Sequence, residues 1–111
     1  MTTTVTAHED ATVLTVAGEV DLATAPALEN AIEKTLGTTP AVLIIDLLQV
    51  SFLASAGMAA LVAAHQRAGA NTRIILVADG PATSRQLKLT NLDQVFSLHQ
   101  SLDAALATLR N

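Results

Sequence analysis

The chain has no cysteine, no tryptophan and no tyrosine, and Phe52 and Phe96 are its only phenylalanines. Without thiols there is no disulfide stabilisation and no cysteine redox sensing, which suits a reducing compartment. So few aromatic rings leave no platform on which single-stranded bases could stack. A formal net charge of −4 argues equally against a phosphate backbone as partner. Direct nucleic-acid binding is therefore not expected. No apolar run approaches the length of a membrane span, so no spanning helix is expected either. The start, Met1-Thr2-Thr3-Thr4, lacks the basic segment and apolar run of a signal peptide. Together these absences point to a protein of the cytoplasm.

Catalytic signatures are missing too. His8, His65 and His99 are far apart, and none has metal-ligand spacing to an acid or to another histidine. Neither G-x-x-x-x-G-K-[ST] nor G-x-G-x-x-G occurs, so the usual phosphate cradles of nucleotide hydrolysis and dinucleotide binding are lacking. There is no G-x-S-x-G elbow, and nothing identifies an activating histidine for a hydrolytic triad. No cofactor, no metal site and no enzyme activity are expected.

What remains is rich in aliphatic residues. The 111 residues make one domain, residues 1–111, and half of them are apolar, enough for a real core. Val5 starts a short strand that turns near Glu9-Asp10, and residues 11–17 read as a β-branched alternating strand ended by Gly18. Thr24 stands as an N-cap, with Pro26 in the first turn, Leu28, Ala31, Ile32 and Leu36 at helical spacing, and Gly37 as the stop. Residues 41–45 are a continuous apolar run and residues 73–78 a second strand of buried type, apolar after Arg73, as in strands covered on both faces. Between them lie a loop from Asp46 to Ala54 and a helix from Ser55 to Ala68. Met58, Leu61, Val62 and His65 form one stripe of that helix, and its alanines smooth the rest. Gly80-Pro81 opens a short helix to about Leu89, residues 95–98 give a weak last strand, and Ser101 caps a closing helix. The order β-β-α-β-α-β-α-β-α predicts an α/β fold: a mostly parallel mixed sheet of about five strands with about four helices. In such sheets function gathers at the carboxyl ends of the strands, here Gly18-Glu19-Val20-Asp21 and the segment from Leu47 to Ser55.

Charge is unevenly placed. Residues 1–66 carry seven acids against Lys34 alone, a balance of −6, whereas residues 67–111 carry five bases against three acids, a balance of +2. A partner docking on the acidic half should present positive charge and bind more weakly as salt rises.

One coupled pattern resembles a known family. Gly18-Glu19-Val20-Asp21, a helix, a buried strand and then Val50-Ser51-Phe52-Leu53-Ala54-Ser55-Ala56-Gly57-Met58 are similar to the bacterial anti-sigma-factor antagonists, built on the STAS domain. The resemblance spans nearly the whole chain and includes Gly80-Pro81 and the Leu-Ala closing helix. It implies a single STAS domain whose Ser55 is phosphorylated by an anti-sigma factor that is also a serine kinase. The unphosphorylated antagonist binds that factor and frees the sigma factor; the phosphorylated one lets go. It further implies that Glu19 and Asp21, with Ala54, Ser55, Ala56, Gly57 and Met58, form the docking face. Ala54 stands where the family usually has Asp, which makes Ser55 the expected N-cap of its helix. Two alternatives stay open at this level. Ser55 could be a cap alone, and the domain could be a non-phosphorylated scaffold subunit of a lipid-transport ATPase or a regulator of a membrane transporter. Oligomeric state is not specified by the sequence.

Overall fold

The computed structural model describes residues 1–8 and 11–110; the expected turn at Glu9-Asp10 lies outside them. Five strands, β1 (Thr2–His8), β2 (Ala11–Val20), β3 (Val42–Leu53), β4 (Arg73–Val77) and β5 (Ser97–His99), form one sheet in the order β1-β2-β3-β4-β5. β1 pairs antiparallel with β2, and every other neighbour is parallel. Four helices, α1 (Ala25–Leu36), α2 (Ser55–Ala68), α3 (Ser84–Leu89) and α4 (Leu102–Ala107), complete the expected order.

The sheet is covered unequally. Leu28 and Ile32 of α1, Leu61 of α2 and Leu87 of α3 join Leu14, Val16, Leu43 and Ile45 in the larger core. Ala105 of α4, with Leu102 and Leu106, packs on Val13, Ile44 and Ile75 of the other face. This explains why residues 43–45 and 74–77 are apolar without a break: helices lie on both sides of them. Burial of these aliphatic side chains, each contributing roughly 1.5–3 kcal/mol before the entropy cost, holds the layers together. Ser101 caps α4 as its sequence suggests, its hydroxyl accepting from the Ala104 N–H at 3.1 Å.

The strand order is sequential, so the sheet has no reversal point and no crevice of the kind that binds dinucleotides. The carboxyl ends of β2 and β3 instead form a surface.

Several boundaries differ from the sequence expectation. β2 does not stop at Gly18 but continues to Val20, and residues 46–53 are not a loop but the second half of β3. From Thr15 to Val20 β2 takes five steps while β3 takes seven, from Asp46 to Leu53, so β3 holds two bulges. The bulges place Leu47, Val50 and Leu53 in the core at three-residue intervals. That spacing hides the strand from a search for two-residue alternation. β5 is also shifted, starting at Ser97, because Phe96 turns into the larger core instead. α3 begins at Ser84 rather than at Gly80-Pro81.

Candidate functional site

The two carboxyl-end segments that the sequence singles out are joined directly. Glu19 pairs with Phe52, Val20 pairs with Leu53, and the Ala54 N–H donates to the Val20 carbonyl at 2.8 Å. The side chain of Asp46 holds the first bulge, its Oδ1 accepting from the Leu48 N–H at 3.0 Å. Gly18 sits at the second register shift with φ 95°, a conformation that glycine adopts without the Cβ penalty.

At the end of β2 the chain enters α1 through a reciprocal clasp. The Asp21 N–H donates to Thr24 Oγ1 at 2.9 Å, and the Thr24 N–H donates to Asp21 Oδ1 at 3.0 Å. Thr24 occupies the N-cap position, yet its side chain does not cap the helix in the usual sense; it turns back to Asp21. Hydrogen bonds from the Thr24 backbone, and then from its side chain, hold the Asp21 carboxyl below its ordinary range. Asp21 is thus charged at neutral pH and half-buried, while Glu19 is fully on the surface.

α2 starts differently. The N-cap residue is Ala54, with extended backbone (φ −81°, ψ 167°), and no side chain caps the helix. Ser55 is the first helical residue rather than the cap expected of it, and it is exposed. An N-cap needs its side chain on the residue before the first helical turn, and here that side chain is a methyl group. The Ala54 carbonyl accepts from Gly57 and Met58, so α2 begins regularly.

The remaining docking-face residues divide into two sorts. Ala56 and Met58 are half-exposed, and Met58 Sδ lies 3.6 Å from Thr90 Oγ1 after α3. Gly57 is buried: a Cβ there would sit 2.6 Å from Val20 Cγ1 and 2.8 Å from Leu53 Cδ1. It serves the site by letting α2 close onto the ends of β2 and β3. In the stripe of α2, Leu61 is buried, whereas His65 is exposed and meets Phe96 edge-on at 5.4 Å. The single ion pair among the described residues, Arg67–Glu33 at 2.9 Å, clips α2 to α1 at the surface. Among the described residues, no group of three or more His, Asp or Glu could hold a metal ion, and no helix is long and apolar enough to cross a membrane.

The structure thus joins the two segments that the sequence singles out, at the paired end of β2 and β3, and leaves Ser55 exposed at the start of α2. The family model of the STAS domain matches residues 2–105. The chain belongs to the STAS-domain family. This STAS domain is 40% identical over 110 residues to the anti-sigma-F factor antagonist RsfB of Mycobacterium tuberculosis, in strains CDC 1551 / Oshkosh and ATCC 25618 / H37Rv, covering 99% of the chain and 90% of RsfB. It is similar to the crystal structure of an anti-sigma factor antagonist from Mycobacterium paratuberculosis, with a TM-score of 0.94, 44% identity, and 99% and 94% of the two chains covered. The unphosphorylated form of the anti-sigma factor antagonist SpoIIAA gives a TM-score of 0.77 at 16% identity, with 98% of this chain and 96% of that one covered. The phosphorylated form of SpoIIAA from Bacillus gives 0.70 at 15% identity, with 97% and 99% covered. At that identity SpoIIAA speaks for the fold alone.

Sequence reasoning missed three exposed apolar residues beside this site, Leu22, Leu48 and Phe52. The broken alternation of residues 46–53 was the available signal, since Leu47 and Val50, three residues apart, reach the same core only if the strand between them is bulged.

Proposed function

We propose that this STAS domain is an anti-sigma-factor antagonist of the cytoplasm, working by partner exchange. Unphosphorylated, it binds an anti-sigma factor and so releases a sigma factor. The anti-sigma factor is also the serine kinase that modifies Ser55, and modification ends the complex. The observation that carries this reading is the state of Ser55: exposed, first in α2, and not used as a cap. The names of relatives at 40% and 44% identity support the antagonist role.

The physics of the position fits a switch. Phosphorylation adds about −1.5 to −2 charges at neutral pH. At the start of α2 the free N–H groups and helix dipole accept that charge, worth roughly 0.3–1 kcal/mol at an exposed site, so the fold persists. A partner surface fitted to a neutral hydroxyl, and to the acids Glu19 and Asp21, must instead desolvate a dianion. Binding is therefore lost while folding is kept. On this reading Glu19, Asp21, Ala54, Ala56 and Met58 share the docking face with the Ser55 hydroxyl, and Gly57 holds α2 against the ends of β2 and β3.

The test is incubation with ATP and the anti-sigma-F factor of Mycobacterium tuberculosis, read by intact-mass and peptide mass spectrometry. One phosphate, on Ser55, is expected, and Ser55→Ala should take none. A phosphate on another residue, or no mass gain from a kinase shown active on another antagonist, would contradict the proposal.

A further inference from the structure

Six large apolar side chains are exposed among the described residues, and three of them, Leu22 (80%), Leu48 (42%) and Phe52 (52%), lie on the carboxyl ends of β2 and β3 and the turn after β2. Isolated exposed apolar residues are ordinary; a cluster beside a functional group is not. Their placement follows from the register. Val13 belongs to the core under α4, and alternation along β2 puts Thr15, Ala17 and Glu19 on that same face. Phe52 pairs with Glu19, so it faces the α4 side, not the α2 side. α4 sits chiefly on β4 and β5 and reaches β2 and β3 only near their starts, at Ala11, Val13 and Ile44, which leaves the carboxyl-end corner of this face open. Leu48, the extra residue of the first bulge, is turned outward on the same strand. Leu22 stands on the rim, two residues past the Val20 carbonyl that holds Ala54, itself next to Ser55.

We propose that Leu22, Leu48 and Phe52 are the apolar anchors of the anti-sigma factor, so that the partner wraps from Ser55 over the rim onto the open face of β2 and β3. The inference rests on the antagonist reading and extends its interface to the face of the sheet opposite α2. The occupant's chemistry follows from what surrounds the anchors. Glu19 is exposed beside Phe52, Asp21 keeps its charge, and residues 1–66 carry a balance of −6. The matching surface is an apolar patch bordered by lysine or arginine. Binding free energy then comes mainly from desolvating the anchors, as buried aromatic and aliphatic side chains dominate most interfaces. Ser55 gates the complex without holding it together.

The experiment is calorimetric titration of the full chain with the anti-sigma-F factor of Mycobacterium tuberculosis at two salt concentrations. Phe52→Ser and the pair Leu22→Ser with Leu48→Ser should each weaken binding by roughly tenfold or more and make the heat-capacity change of binding less negative. The salt dependence should persist in these variants and shrink in Glu19→Lys. Val95→Ser is the control: Val95 is similarly exposed, but it lies at the other end of the sheet beside Gly69 and Arg73. It should bind unchanged. Melting curves and circular dichroism establish that each variant is folded. If the unmodified chain binds but the anchor variants bind equally well, the inference is overturned and the antagonist reading stands. If sedimentation instead shows self-association that Phe52→Ser abolishes, with anti-sigma binding unchanged, the face belongs to a second copy and the inference is again overturned. If the unmodified chain does not bind, the antagonist reading fails first.

Discussion

Helices α1 and α2 start at the same end of the sheet, at the ends of neighbouring parallel strands, yet they start in opposite ways. α1 is entered through Asp21 and Thr24, whose backbone and side chains satisfy one another. α2 is entered through Ala54, which offers no side-chain acceptor, and then through the exposed Ser55. The first four N–H groups of any helix lack intrahelical partners, and a natural sequence usually supplies a cap. Leaving one start closed and its neighbour open separates two tasks. The clasp fixes the backbone on which Glu19 and Asp21 are presented, while the open start can take on a phosphate without breaking an existing bond.

The sharpest way to disturb this arrangement is to push α2 away from β2 and β3. Gly57→Ala places a Cβ inside the van der Waals radius of Val20 and Leu53, and should cost about 1–3 kcal/mol as an overpacked site does. Adding Val20→Ala should recover part of that loss; urea melts of the two variants decide it. Unchanged stability of Gly57→Ala would mean that α2 does not rest on this contact.

Closing the second helix start should make the two ends alike. Ala54→Asp gives α2 the side-chain acceptor it lacks and should raise stability by about 1 kcal/mol. A melting temperature that stays level or falls would show that the α2 start is satisfied by some other means.

Opening the first start tests the clasp through pH. Because Asp21 titrates below its ordinary range when folded, its hydrogen bonds stabilise the native state fully above the unfolded pKa of about 3.9. That contribution is lost as pH falls through the lower folded value. Asp21→Asn should therefore flatten the acid limb of stability against pH below about pH 5, measured by urea melts. An acid limb as steep as in the unmodified chain would contradict the clasp. The same engagement makes Asp21→Lys a poor probe of docking, since it breaks the clasp as well as the charge; Glu19→Lys isolates the charge.

The smallest effect is expected at Ser55 itself. With its hydroxyl exposed and not capping, Ser55→Ala should change stability by less than about 0.5 kcal/mol. A larger loss would mean that the hydroxyl is committed to the helix after all.

The sequence carried most of the fold because its strongest signals are local and mutually consistent. Continuous aliphatic runs marked β3 and β4, helical spacing of Leu28, Ala31, Ile32 and Leu36 marked α1, and Ser101 marked the start of α4. The candidate site was legible as a place but not as a shape. Residues 46–53 bury Leu47, Val50 and Leu53 at intervals of three, and a period of three belongs to no regular strand. Only pairing with β2, a long-range feature, reveals the two bulges. Ser55 was expected as a cap because Ala54 cannot be one, but helix starts are set by backbone pairing, and the Ala54 N–H is held by Val20. The open face near Phe52 was invisible for a related reason: whether a phenylalanine is covered depends on how far α4 reaches across the sheet.

The central claim is that a phosphate on Ser55 changes binding and not folding. The most direct test compares the unmodified chain with the same chain carrying phosphoserine at position 55, each titrated with the anti-sigma-F factor of Mycobacterium tuberculosis and each melted in parallel. The expected result is a loss of affinity of at least about a hundredfold, as for a charge desolvated without a partner in an interface fitted to a neutral hydroxyl, with the melting temperature unchanged or slightly raised. Equal affinity of the two forms, or loss of binding accompanied by unfolding, would contradict it.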